Sequence, residues 1–372
     1  MSKIRIGVIF GGRSGEHEVS LHSARSVMDA LDKDRYEIIP IGITKDGHWV
    51  TGNSTWKALR SGAGETVNAA LLGEPGQRAL MAVEEDRGRL GLRDIATLDV
   101  IFPVLHGPYG EDGTVQGLLE LADIPYVGAG VVGSAVGMDK AIFKNVMRAH
   151  GLPVLPYKLV LRSDWERERQ AVLDELEGLL AYPMFTKPAN LGSSVGVSKV
   201  RNREELEAGL DEAAAYDRRL LVEQGIEARE IEVSVMGNDE PLASIPGEVV
   251  PADEFYSYED KYIRGEAQLL IPAPLDEEQA ALAQRLAVAA YAAIDCAGLA
   301  RCDFLLDKQD GALYVSEVNT IPGFTVISMY PKLWEASGVP YPELIDRLVE
   351  YALERHAQKR RCKTSYEPPE DW

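Results

Sequence analysis

Two unbroken apolar runs stand near the start of the chain, with an amphipathic segment between them. "KIRIGVIF" (3–10) and "YEIIPIGI" (36–43) are continuous enough to be strands buried on both faces. Between them, "EVSLHSARSVMDALD" (18–32) repeats its apolar residues at helical spacing. That order predicts a βαβ unit, and hence a doubly wound, Rossmann-like parallel sheet. "LDVIFPVL" (98–105) adds a further strand, "HGPYGEDG" (106–113) a loop, and "TVQGLLELADIPYVGAG" a helix and a short strand. Residues 52–92, rich in glycine and charge, read as an irregular insertion. The first domain boundary is placed near Gly128, giving an α/β domain over 1–128.

A second pattern runs over 129–226. The helix "MDKAIFKNVMRAHG" is stopped by Gly151 and Pro153. The strand "YKLVL", an amphipathic helix near 164–180 and the strand "YPMFTKP" follow. Next come the loop "ANLGSS", the strand "VGVSKV", the helix "REELEAGLDEAAAY" and the strand "RLLVEQ". These make a small α+β unit. Residues 227–372 predict another: strands around "EIEVSVMG", a loop-rich stretch, an Ala-rich helix (276–295), two strands and a final helix (342–357). The tail beyond that helix has little to bury and is expected to fray.

Composition narrows the function classes. A chain of 372 residues with 45% hydrophobic and 26% charged content suits a multidomain globular protein. The net charge of −20 leaves no basic excess to neutralise nucleic-acid phosphates. No stretch is apolar for long enough to span a membrane, and the first apolar run is too short for a signal-peptide core. Cys296, Cys302 and Cys362 fit neither a zinc pattern nor a disulfide framework, and the first two read as small core residues. A cytoplasmic location is the expectation.

Polar groups interrupt the last strand pair. In "RCDFLLDKQDGALYVSEVNTIPG" (301–323), Arg301 and Asp303 share one strand face, and Glu317 and Asn319 share a face of the next strand. Two carboxylates and an amide converging from neighbouring strands suit a hard cation such as Mg²⁺. A solvated face with ion pairs is the plainer alternative, but Phe304, Leu305, Leu306 and Val318 make these strands look buried, where an unpartnered carboxylate is costly.

Other segments leave their alternatives open. "TKPANLGSSVGVSKV" (186–200) puts Lys187 before a loop of small residues, Gly192, Ser193 and Ser194. It reads equally as a phosphate cradle and as a plain hairpin turn, and it is not a P-loop, because the lysine precedes the glycines. Lys140 in "MDK" reads locally as a solvated helix charge. Glu223 ends an apolar strand, and Glu230 lies on the next. "FGGRSGEHEVS" lacks the G-x-G-x-x-G spacing of a dinucleotide site. Its Glu16 reads as an ammonium ligand or as a helix N-terminal acid. His106, Glu111 and Asp112 sit in a binding loop or a capped turn.

Taken in order, "GGRSGEHEVS", "HGPYGEDGTVQG", "MDK", "TKPANLGSSVGVSKV", "VEQGIEAREIEVSV", "YEDKY", "ARCDF", "EVNTIPGFT" and "SMYP" resemble the D-alanine–D-alanine ligase family of the ATP-grasp superfamily. The resemblance spans nearly the whole chain; 52–92, 160–180 and the tail after 358 carry none of it. It implies an N-terminal substrate domain followed by the two α+β domains of an ATP-grasp fold. It also implies ATP-dependent, ADP-forming synthesis of D-alanyl-D-alanine through D-alanyl phosphate, for peptidoglycan. By position, Lys140, Lys187, Lys261 and the Ser193–Ser194 loop would meet ATP phosphates. Glu223 and the backbone near Gln224 and Ile226 would read adenine, Glu230 would hold the ribose, and Phe304 would bind ATP. Asp303, Glu317 and Asn319 would hold two Mg²⁺, with Mn²⁺ a substitute. Glu16 and His106 would sit at the first D-alanine, and Ser328 and Met329 at the second. Arg301 and the Gly323 N–H would stabilise charge during acyl transfer. Tyr262 would link a lid to Ser193 and Glu16. A homodimer without nucleic-acid or membrane partners is implied too.

Rival readings explain less. A D-alanine–D-lactate or D-alanine–D-serine ligase shares the ATP and metal residues, so only the second-substrate positions separate them. Another ATP-grasp carboxylate–amine ligase leaves "GGRSGEHEVS" and "YEDKY" without a role. An NAD-dependent oxidoreductase accounts for the βαβ unit but not for the carboxylate strands.

Overall fold

The computed structural model describes residues 3–192, 195–251 and 268–366. The chain opens with β1 (Ile4–Gly11), α1 (His17–Ala30), β2 (Tyr36–Ile43), β3 (Trp49–Thr51) and α2 (Thr55–Ser61). It continues through β4 (Val67–Leu71), β5 (Ala79–Asp86), β6 (Arg89–Thr97), β7 (Val100–Val104) and α3 (Thr114–Leu121). One sheet results, in the order β6-β5-β4-β3-β2-β1-β7. β1 is parallel to β2 and to β7, as the βαβ pattern predicts. The predicted short strand after α3 is only a bridge between Ile101 and Tyr126.

Residues 52–92 are not an irregular insertion. They supply α2, β4, β5 and the start of β6, which extend the sheet by antiparallel pairing. β5 and β6 meet at a two-residue turn in which Arg87 and Gly88 both have positive φ, 50° and 76°. That geometry matches the twist of a tight hairpin.

The middle of the chain holds α4 (Val131–Met138), α5 (Lys140–Ala149), β8 (Tyr157–Leu161), α6 (Arg162–Arg167) and α7 (Arg169–Leu179). β9 (Met184–Pro188), β10 (Ser198–Val200), α8 (Arg203–Tyr216) and β11 (Arg219–Gln224) complete it. Its four strands form an antiparallel sheet, β10-β9-β11-β8. The single helix predicted near 164–180 is two, because Glu168 leaves helical backbone (φ −137°, ψ 47°). Phe143 and Met147 of α5 face the core of the last sheet, so this helix joins the two α+β parts.

That last part contains β12 (Ala228–Gly237), β13 (Leu242–Ala243), β14 (Gly247–Val250), β15 (Gln268–Leu270) and α9 (Glu277–Ala293). β16 (Gly298–Asp307), β17 (Leu313–Asn319), α10 (Met329–Ala336) and α11 (Tyr341–Lys359) follow. The strands run β15-β14-β12-β16-β17, with β13 beside β12. α9 begins in a capping box between Asp276 and Gln279. It lays Ala283, Ala287 and Ala290 on one sheet face, where small side chains let helix and sheet approach closely. Cys296 and Cys302 are buried there, as core residues should be, and Cys362 is exposed.

α11 returns to the N-terminal sheet. Its Leu344, Ile345, Leu348 and Val349 share a core with Ile6, Val8, Phe10 and Phe102. Asp346 also accepts hydrogen bonds from Arg35 (2.9 Å) and Tyr36 (2.8 Å). The two ends of the chain are thus packed together, which holds β7 and α1 against the turn that follows β17. Among the described residues, no helix is long and apolar enough to cross a membrane.

Candidate active site

Alternation along β12, β16 and β17 builds one charged sheet face. Register places Asp303 beside Glu232 on one side and Glu317 on the other, and Arg301 beside Asn319. The Arg301 guanidinium meets Asp303 with both ends of its fork, at 2.7 and 2.6 Å, and Glu232 at 2.9 Å. Asn319 Nδ2 donates to Asp303 at 2.9 Å and reaches Glu317 at 3.5 Å. Burial works against charge on Arg301, but Asp303 and then Glu232 outweigh it, raising its pKa further. Cys302, Phe304 and Leu306 point the other way, into the core under α9. Phe304, expected to bind ATP, is 1% exposed on that opposite face and does not reach the charged one, because it is one strand position on from Asp303.

A second charged cluster lies on the four-stranded sheet. Glu223 on β11 and Lys187 on β9 come together at 2.8 Å, and Lys144 of α5 pairs with the other Glu223 oxygen. Lys144 and Glu223 are each 2% exposed. Burial alone would raise the Glu223 pKa; the two ammonium groups reverse that and hold it at about 2. Burial pulls the Lys144 pKa down, with Glu223 opposing. Lys140 opens α5 behind the Asp139 cap, and its ammonium donates to the Leu191 carbonyl at 2.6 Å. The Gln224 side chain is engaged with the backbone of Ala181 at 2.8 Å. Ile226 is partly buried in the link to β12, and Glu230 stands on β12 two residues before Glu232, on the same face.

The N-terminal loops supply the third side. Glu16 occupies the N-cap position of α1 and makes no side-chain cap hydrogen bond there. Its carboxylate lies against Gly107 and Gly192: a Cβ on Gly107 would stand 2.7 Å from Oε2, and Gly107 also has φ +76°. Glycine is required there on both counts. His106 uses both ring nitrogens, Nδ1 on the Ile321 carbonyl (2.9 Å) and Nε2 on Ser23 Oγ (3.2 Å). Nδ1 facing a carbonyl carries the proton, so Nε2 accepts from Ser23. Burial lowers the His106 pKa, which agrees with a neutral ring. Glu111 accepts from Gly107 N–H (2.7 Å) and Ile321 N–H (3.1 Å). Burial and then Glu16 push its pKa up to about 8. Ser328 Oγ accepts the Thr325 N–H at 3.1 Å just before α10, and Met329 is buried beside Gly247.

A cavity of about 870 Å³ is lined by Glu16, Lys140, Arg301, Glu317, Asn319 and Ser328 among others; the Lys144–Lys187–Glu223 cluster is not part of its lining. Ser193, Ser194, Lys261 and Tyr262 lie outside the described residues. Sequence reasoning passed over Glu232 and Lys144 and gave Glu111 no definite role. Among the described residues no cluster of three or more His, Cys, Asp or Glu forms a metal cage. Two carboxylates and an amide, Asp303, Glu317 and Asn319, still fit Mg²⁺, which usually takes one or two protein carboxylates and leaves room for phosphate oxygens.

Comparison with known proteins identifies the family. The family model for the D-ala D-ala ligase N-terminus matches residues 5–129, and that for the D-ala D-ala ligase C-terminus matches 146–350. A D-alanine–D-alanine ligase of Heliobacterium modesticaldum is 53% identical over 99% of this chain and all of its own length. One from Natranaerobius thermophilus is 48% identical over 98% of this chain and 99% of its own. Among solved structures, the D-alanine–D-alanine ligase of Coxiella burnetii superposes with a TM-score of 0.82, at 36% identity over 97% of each chain. The VanG D-Ala:D-Ser ligase of Enterococcus faecalis gives 0.83, at 33% identity over 94% of this chain and all of that one.

Proposed function

We propose that this chain, which belongs to the D-alanine–D-alanine ligase family, joins two D-alanines into D-alanyl-D-alanine while converting ATP to ADP and phosphate. The observation that carries the reading is a single cavity lined by Glu16, Lys140, Arg301, Glu317 and Asn319, with Asp303 hydrogen-bonded to Asn319 beside it.

A carboxylate is a poor electrophile. The first D-alanine carboxylate attacks the γ-phosphorus of ATP, the bond to ADP breaks, and D-alanyl phosphate forms. The second D-alanine loses its ammonium proton, its amine attacks the acyl carbon, and phosphate leaves. Glu16 holds the first ammonium. Lys140 and Lys187 hold phosphate oxygens, with Glu223 keeping Lys187 in place. Asp303, Glu317 and Asn319 would hold Mg²⁺, which when bound would neutralise phosphate charge. Arg301 and the Gly323 N–H meet the oxygen that gains charge during transfer. Ser328 and the start of α10 receive the second carboxylate. Two ions per site, Mn²⁺ as a substitute, a homodimer and a cytoplasmic role in peptidoglycan precursor synthesis complete the proposal.

One mass-spectrometric assay tests it. The enzyme is supplied with Mg-ATP and equal D-alanine, D-lactate and D-serine. D-alanyl-D-alanine should dominate near neutral pH, with one phosphate released per dipeptide. A main product of D-alanyl-D-serine or ester would reassign the second substrate. No D-alanine-dependent phosphate release would reject the ligase reading.

A further inference from the structure

Two pins from the N-terminal part hold the turn that follows β17. Ile321 is gripped on both sides of its own residue: its N–H goes to Glu111 (3.1 Å) and its C=O to His106 Nδ1 (2.9 Å). Phe324 N–H goes to Ser23 Oγ at 3.3 Å, and the same hydroxyl meets His106 Nε2 at 3.2 Å. Pro322 has no N–H, so Gly323 carries the one backbone donor between the two pins. Gly323 faces the cavity beside Ser328.

Glu111 is the group that joins this turn to the first-substrate loop. One of its oxygens takes the Gly107 N–H and the other the Ile321 N–H. Gly107 in turn packs against Glu16 Oε2. Displacing Glu111 therefore moves the Gly323 donor relative to the groups around Glu16. The hydrogen bonds of this linkage run to Gly107, Ile321, Phe324 and Ser23, whereas Lys187 and Glu223 lie on a different sheet.

We infer that Glu111 is a positioning residue for acyl transfer: by bridging Gly107 and Ile321 it sets the Gly323 N–H where charge develops as the amine attacks. This rests on the ligase reading above and on the role given there to Gly323. The consequence is a split between the two halves of the reaction. D-alanyl phosphate formation needs the nucleotide clusters and Glu16; collapse to dipeptide also needs the turn.

The test uses the full-length enzyme and two variants, Glu111→Gln and Glu111→Ala. D-alanine-dependent isotope scrambling between bridging and non-bridging oxygens of ATP reports acyl-phosphate formation; mass spectrometry reports dipeptide. Misplacing one such donor commonly costs about a hundredfold in turnover. Glu111→Ala should therefore lose dipeptide kcat by about a hundredfold, with KM for ATP and the scrambling rate within about threefold of wild type. Glu111→Gln keeps one acceptor oxygen and should lose about tenfold, with its melting temperature unchanged; it carries the test alone if the alanine variant fails to fold. Equal losses in scrambling and dipeptide formation would overturn the positioning role, as would wild-type kinetics in both variants. A wild-type enzyme that scrambles nothing with D-alanine would instead reject the ligase reading.

Discussion

Two buried charge clusters, both assigned to the proposed ligase reaction, carry opposite balances. On the four-stranded sheet, Lys144 and Lys187 surround one carboxylate, Glu223. On the last sheet, Arg301 stands among three, Glu232, Asp303 and Glu317. Both bury ionised groups at a desolvation cost that only pairing offsets. The first is left with surplus positive charge, which suits phosphate oxygens. The second is left with surplus negative charge, which suits a divalent cation between it and those oxygens. Each imbalance is a stability liability alone, and under the proposed function the two together would hold a magnesium–phosphate ligand.

Breaking the acidic cluster should have the largest effect. Glu317→Gln is nearly isosteric and should stay folded while kcat falls by about a thousandfold, at the upper end of what a lost electrostatic contact costs. Near-normal turnover at saturating Mg²⁺ would remove Glu317 from the metal site. The basic cluster should respond in stability. Glu223→Gln strands two buried ammonium groups and should cost on the order of 3 kcal/mol in chemical denaturation at pH 7. The pH dependence has a definite sign. The folded Glu223 pKa, about 2, lies below the unfolded carboxyl value, so its contribution is present above that value and lost as pH falls. The gap between wild type and Glu223→Gln should hold from pH 7 down to about 5, then shrink toward pH 2. A gap that widens on acidification would contradict the pairing.

Arg301→Ala should depress kcat by about a hundredfold and leave nucleotide affinity less affected, because the side chain is assigned to charge that appears only in transfer. Loss of ATP binding with kcat intact would point to a ground-state role. The smallest effect is expected from Phe304→Leu, which alters the far face of the same strand. Stability should fall by about 1 kcal/mol, with KM for ATP within twofold. A large rise in that KM would return the ring to the nucleotide.

The sequence made the acidic face legible because strand alternation is a local rule: Arg301 with Asp303 and Glu317 with Asn319 follow from a period of two. Glu232 obeys the same rule, yet "EIEVSV" looks like any half-exposed strand until β12 is paired with β16. Lys144 carries no local signal, because its burial depends on α5 packing across two sheets. The strands within 52–92 were hidden by charge and glycine density. The link from Glu111 to Ile321 spans 210 positions, and no local pattern predicts it.

The opposed balances are tested most directly by calorimetric binding of a non-hydrolysable ATP analogue with Mg²⁺ and with Mg²⁺ chelated. Wild type should bind at least about tenfold more weakly without the ion, a difference of about 1.4 kcal/mol, because phosphates then face the three carboxylates unscreened. Glu317→Gln should narrow that ratio. Equal wild-type affinity with and without Mg²⁺ would contradict the division of labour between the two clusters.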